Sequence, residues 1–125
     1  MAFGKRGYGF GAANLAASLR YHTPDVHIHL LTDPGCVQQL TPFHRQLFTA
    51  IEYLPSEAWQ TAGKTDPGKA KCHLRKMLPE GPWLFLDADS VALQDITPLW
   101  EDLLASDKQF ATEVIGEGVV NVEYS

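Results

Sequence analysis

At 125 residues the chain has room for one domain with a real hydrophobic core, but not comfortably for two. Its composition, 45% hydrophobic and 20% charged, is that of an ordinary globular protein, and a formal charge of -5 argues against a general nucleic-acid binder, whose footprint is basic. No apolar run approaches the roughly 20 residues that span a bilayer, and Lys5 and Arg6 lead into a glycine-rich segment, not the apolar stretch of a signal peptide. Cys36 and Cys72 fit no C-x-x-C pattern and read as free thiols of a cytoplasmic protein.

Taken in order, Met1-Ala2-Phe3 has the look of the end of a strand, either very short or once preceded by residues absent here. Residues 5–11 read as a glycine-rich loop, and residues 12–21 as a helix with Leu15, Ser18, Leu19 and His22 on one stripe. Thr23-Pro24-Asp25 stops that helix. Residues 26–31 form a second strand, broken by Asp33-Pro34-Gly35. A short helix over 36–46, interrupted near Pro42, leads to a third strand over 47–54. Residues 55–68 are polar and rich in Gly and Pro, the profile of a long mobile loop.

A helix over 69–78 and the turn Pro79-Glu80-Gly81-Pro82 precede the most informative stretch, Trp83-Leu84-Phe85-Leu86-Asp87-Ala88-Asp89. An apolar run of this kind predicts a strand buried on both faces. Carboxylates at the carboxyl end of such a strand sit where open α/β sheets bind ligands. Residues 96–104 follow as a short helix with Pro98 in its first turn, and residues 108–115 and 119–124 as further strands. The alternation of strand and helix predicts an α/β fold, a mostly parallel sheet with helices on both faces.

Burying an unpaired carboxylate is costly, so Asp87 and Asp89 call for a cation, a hydroxyl or a proton. In an extended strand they would share one side; a strand ending at Asp87 lets a turn give each acid its own task. The plain alternative is an Asp-capped strand end. The flanking Trp-Leu-Phe-Leu and Ser-Val-Ala-Leu-Gln-Asp-Ile make metal or ligand binding the better reading.

The segment from Leu86 to Trp100, with Leu86-Asp87-Ala88-Asp89-Ser90 leading into Asp95-Ile96-Thr97-Pro98-Leu99-Trp100, resembles the Asp-x-Asp region of retaining glycosyltransferases of the family 8 type. Gly7-Tyr8-Gly9 through Ala12, Ala17-Ser18-Leu19 and Leu30-Leu31-Thr32-Asp33 resemble that family's opening. Lys71-Cys72-His73-Leu74 with Leu78-Pro79 resembles its helix before the motif. The similarity covers most of residues 1–100, and only the Asp-x-Asp block is highly specific.

The resemblance implies a three-layer Rossmann-like fold of the GT-A type, a single nucleotide-sugar-binding domain over residues 1–125 that lacks the acceptor part of the full fold. It implies metal-dependent transfer of a hexose from a nucleotide diphosphate sugar, a UDP-sugar foremost, to a carbohydrate, lipid or protein acceptor. Asp89 would ligate Mn2+ (or Mg2+) with the donor diphosphate, and Asp87 would share the metal or take a ribose hydroxyl. Lys71 would lie near the donor phosphate or sugar, and Tyr8 would stack on the base, against the plain reading of a loop aromatic folded onto the core. No catalytic nucleophile or base is assigned.

Lys5, Arg6 and Gly7 stand where the family carries acidic or amide residues, which leaves the base open. Family members are also longer, and their later part supplies acceptor contacts and a histidine as third metal ligand. The chain could therefore be a non-catalytic nucleotide- or sugar-binding domain or a fragment. Asp87-x-Asp89-x-Val91 also matches the nucleophile motif of haloacid-dehalogenase-type phosphatases. That motif ends a first strand and needs more chain after it than stands here. Among the remaining residues, His27 and His29 read as a solvated strand face, His22 and His44 as surface, His73 as a donor-site or helix-surface residue, and Trp59 as a lid or as loop packing.

Overall fold

The computed structural model describes residues 1–4, 7–106, 111–116 and 119–124. The chain forms two compact units, Met1–Asp95 and Ile96–Ser125. The described strands make three two-stranded sheets, so the fold is mixed α/β with a small parallel sheet and helices.

In the first unit, α1 (Tyr8–His22) begins earlier than its apolar pattern suggests and takes Gly9 and Gly11 into the helix. Gly7 precedes it in the left-handed region at φ 81°, where glycine carries no penalty. The expected loop over 5–11 is therefore corrected from Tyr8 onward; Lys5 and Arg6 lie outside the described residues. The glycines serve close packing. A β-carbon at Gly9 would stand 3.0 Å from the Cys36 carbonyl oxygen, and one at Gly11 would stand 2.7 Å from that of Ala88. Near the helix end, Arg20 donates to the carbonyls of Leu47, Pro24 and Val26 and to the Thr49 hydroxyl, fixing the loops around the sheet.

β1 (His29–Thr32) and β2 (Ala50–Tyr53) pair in parallel, His29 opposite Ala50 and Thr32 opposite Tyr53. Ala2 adds a parallel bridge to Thr32 on the other edge of β1. The buried Thr32 hydroxyl donates to the Ala2 carbonyl at 2.6 Å. Between the strands lie α2 (Pro34–Val37), capped by Asp33, and α3 (Pro42–Gln46), where Thr41 and His44 cap one another reciprocally. The single interrupted helix expected over 36–46 is thus two helices, each with proline in its first turn, where a missing N–H costs nothing.

Successive residues of an extended chain face opposite ways, and the core divides accordingly. Ala2 and Leu30 pack with Ala12 and Ala13 of α1, Cys36 of α2, Leu40 and Ala88. Phe3 and Leu31 pack with Leu54, Ala58, Trp59 and Ala70. The latter come from α4 (Ser56–Trp59) and α5 (Pro67–Met77) and their surroundings.

The expected mobile loop over 55–68 is instead α4 followed by a tight hairpin, β3 (Gln60–Thr61) and β4 (Lys64–Thr65). Its two-residue turn, Ala62-Gly63, has positive φ at both positions (51° and 74°), the twist that a short antiparallel hairpin requires. The Lys69 ammonium donates to the Gln60 carbonyl at 2.8 Å, and Asp66 N–H donates to the Trp59 carbonyl at 2.7 Å, tying the hairpin to α5. Trp59 is buried and stacked on Phe3 with centroids 5.2 Å apart, so it is core packing and not a lid.

A larger correction concerns residues 83–87. They run without a β-ladder among the described residues, and Trp83 and Phe85 are 39% and 37% exposed instead of buried on both faces. Beyond them the chain lies along α1: Ala88 against Gly11, the Ala92 N–H donating to the Ser18 hydroxyl at 2.9 Å, and the Thr23 hydroxyl donating to Asp95 at 2.9 Å.

The second unit holds α6 (Thr97–Ala105), with Pro98 in its first turn, and a hairpin of β5 (Ala111–Gly116) and β6 (Val119–Tyr124). These strands pair with each other antiparallel, Gly116 opposite Val119. Residues 108–110 of the strand expected over 108–115 lie outside the described residues.

Candidate functional site

The first unit carries a cleft of about 820 Å³. One wall is the amino-terminal segment, Met1, Ala2, Phe3 and Gly4, with Tyr8 at the start of α1. Gly63, Lys64 and Thr65 of the hairpin form another, and Lys71 of α5 with Asp87, Ala88 and Asp89 a third.

Each wall is positioned by local chemistry. Gly4, at φ 77°, donates its N–H to Asp33 at 2.7 Å and accepts from the Gln39 amide at 3.2 Å. Asp33 is itself buried and caps α2 through the Gly35 N–H at 2.9 Å. On α5, Ala70 is fully buried in the core, which leaves the adjacent Lys71 exposed at the cleft.

The Ser90 N–H donates to the Asp87 carbonyl at 3.1 Å, closing a turn over Asp87-Ala88-Asp89-Ser90. In that turn Ala88 enters the core while both acids remain exposed. The chain at Asp87 therefore ends its extended run and separates the two carboxylates by a turn.

Lys71 Nζ lies 3.0 Å from Asp87 Oδ1, and its ammonium is 5.1 Å from the centroid of the Phe85 ring. With side chains 43% and 56% exposed, this ion pair is screened by solvent and contributes about 0–1 kcal/mol. Asp89 and Lys64 have no side-chain partner among the described residues.

Tyr8, Lys71, Asp87 and Asp89, the site residues named from the sequence, all line this one cleft. Tyr8 is half exposed and not folded into the core. His73 is half-buried on α5 and does not line the cleft. His27 is exposed as expected, whereas His29 is half-buried, its ring 4.9 Å from that of Trp83 and its Nδ1 3.8 Å from Glu52. His22 and His44 are partly exposed. Sequence reasoning missed Gly4, Lys64 and Thr65. The available signal for the latter two was the Ala62-Gly63 dipeptide between Thr61 and Lys64, weaker than the Asn-Gly that marks most such hairpins.

Among the described residues no group of three or more His, Cys, Asp and Glu side chains converges as a metal cage. Two exposed carboxylates instead suit a hard cation that keeps its waters and arrives with phosphate oxygens, as Mg2+ does. Asp87 and Asp89 supply oxygen donors of the type such an ion takes. No helix among the described residues is long and apolar enough to cross a membrane. No protein-family model, curated protein or solved structure matches the chain.

Proposed function

We propose that the cleft binds a nucleotide diphosphate sugar, foremost a UDP-sugar, together with Mn2+ or Mg2+, and that the chain is the donor-binding part of a glycosyltransferase similar to family 8. The activity is transfer of a hexose to a carbohydrate, lipid or protein acceptor. The observation that supports this most is the convergence of Tyr8, Lys71, Asp87 and Asp89, distant in sequence, on one cleft.

Asp89 and Asp87 hold the cation, which when bound neutralises charge on the departing diphosphate. Lys71 adds positive charge beside that diphosphate. Tyr8, half exposed at the cleft wall, offers its ring to the base. The fuller architecture of this reading is a three-layer Rossmann-like sheet of the GT-A type. The split of the core between the Leu30 and Leu31 faces of β1 supports it.

Titration calorimetry with UDP and MnCl2 tests the proposal. UDP should bind in the presence of Mn2+, and Asp89→Asn should weaken that binding by at least about tenfold, as loss of a charged ligand does. Absence of any UDP or GDP binding at millimolar concentration would remove the donor site. Binding without transfer or hydrolysis of the UDP-sugar would favour a non-catalytic module. Hydrolysis of p-nitrophenyl phosphate that vanishes in Asp87→Asn would favour a phosphatase.

A further inference from the structure

We infer that Lys71 is a built-in counter-ion on Asp87 that a divalent cation must displace, so that cation and nucleotide diphosphate bind cooperatively instead of independently. The idea rests on the cleft being a nucleotide-sugar site and adds to that reading a rule for how its ligands assemble.

Lys71 Nζ sits 3.0 Å from Asp87 Oδ1, where the cation's own ligand atom lies. Among the described residues the charged side chains lining the cleft are Lys64, Lys71, Asp87 and Asp89, two cations against two anions, and the Met1 amino group lines it beside them. A divalent cation arriving alone evicts the Lys71 ammonium from Asp87 and leaves two cationic centres facing each other. A diphosphate arriving alone brings its negative charge up to both carboxylates. Bound together, the cation takes the carboxylates and the two lysines are left for the phosphate oxygens, so each ligand removes the charge imbalance of the other.

Two features make the exchange feasible. Both partners of the Lys71–Asp87 pair are about half exposed, so their attraction is weakened by solvent and is readily traded. The Phe85 ring, 5.1 Å from Lys71 Nζ, offers the displaced ammonium a second favourable contact beside the acids and keeps it within the cleft. Coupling of this kind is reciprocal: the factor by which Mn2+ tightens UDP equals the factor by which UDP tightens Mn2+.

The test compares the full chain with Lys71→Met and Lys71→Arg, measuring Mn2+ alone by the electron paramagnetic resonance signal of the free ion, and UDP with and without MnCl2 by calorimetry. The parent protein should show coupling of about tenfold or more, within the usual range for linked sites. Lys71→Met should bind Mn2+ alone several-fold more tightly and lose most of the coupling. Lys71→Arg, which keeps a cation on Asp87, should behave as the parent does. Position 71 is exposed, and equal thermal melts of the variants exclude a folding effect. Unchanged Mn2+ affinity and undiminished coupling in Lys71→Met would overturn the inference while leaving the nucleotide site in place. Tighter Mn2+ binding in Lys71→Met with no UDP binding to any variant would uphold Lys71 as the counter-ion on Asp87 but sink the nucleotide reading and the coupling with it.

Discussion

Gly11 and Ala88 meet so closely that a β-carbon at Gly11 would stand 2.7 Å from the Ala88 carbonyl oxygen. The contact joins the first helix to the turn that carries both acids, and the neighbour is backbone, which cannot swing aside. In an unobstructed helix interior, Gly→Ala stabilises by about 0.5–1 kcal/mol. Here forced displacement opposes that gain, with overpacking costing about 1–3 kcal/mol. Gly11→Ala should therefore be destabilising by urea denaturation, and the folded variant should bind UDP with Mn2+ more weakly. A gain in stability with unchanged binding would show that the turn yields without cost.

The same contact explains part of what could and could not be read from the sequence. The acid pair stood out because an apolar run stops abruptly at Asp87, and the turn after it follows from that boundary. The glycines before Ala12 suggested a loop, because composition registers backbone freedom but not the close neighbours at Cys36 and Ala88 that require it. The apolar run at 83–86 signals burial but says nothing about ladder partners, and Trp83 and Phe85 are in fact partly exposed. In the hairpin, each strand has only two residues, too few to display an alternating pattern. Lys64 therefore entered the site only when its neighbours were seen in space.

Asp66 should leave a mark on acid stability. Its carboxylate accepts from the Lys69 N–H at 3.1 Å and from the Thr61 hydroxyl at 2.9 Å, capping α5 and bracing the hairpin. The Lys69 N–H first, then the Thr61 hydroxyl, favour the charged form and hold its pKa below the usual aspartate value. A depressed folded pKa means that the unfolded chain binds more protons in the interval between the two values. The contribution is thus complete above the unfolded value of about 3.9 and is lost as pH falls through the lower, folded value. Asp66→Asn, which cannot titrate, should flatten the loss of stability below about pH 4. Superimposable acid limbs for the two proteins would assign the effect to other groups.

The two thiols should differ sharply in reactivity. Cys36 is fully buried between α1 and the sheet, and burial pushes its pKa up, away from the reactive thiolate. Cys72 is exposed on α5. With a disulfide reagent at pH 8, one thiol per chain should react promptly and the second only on addition of denaturant. Cys72→Ser should abolish the prompt phase. Prompt reaction of both would mean that α1 opens readily from the sheet.

Asp33 links stability to the site. One of its oxygens accepts the Gly4 N–H at 2.7 Å and the other the Gly35 N–H at 2.9 Å, with the residue only 8% exposed. Asp33→Asn replaces one acceptor with an NH2 group, so one of the two N–H groups faces a donor. An unsatisfied buried group of this kind costs about 1–3 kcal/mol, a fall in Tm of several degrees or more for a domain near this size. Because Gly4 lines the cleft, the variant should also lose affinity for UDP with Mn2+ at temperatures where it remains folded. Calorimetric melts and titrations on one preparation separate the two effects. A lower Tm with parent-like UDP affinity would show that the Asp33–Gly4 hydrogen bond supports the fold without shaping the cleft.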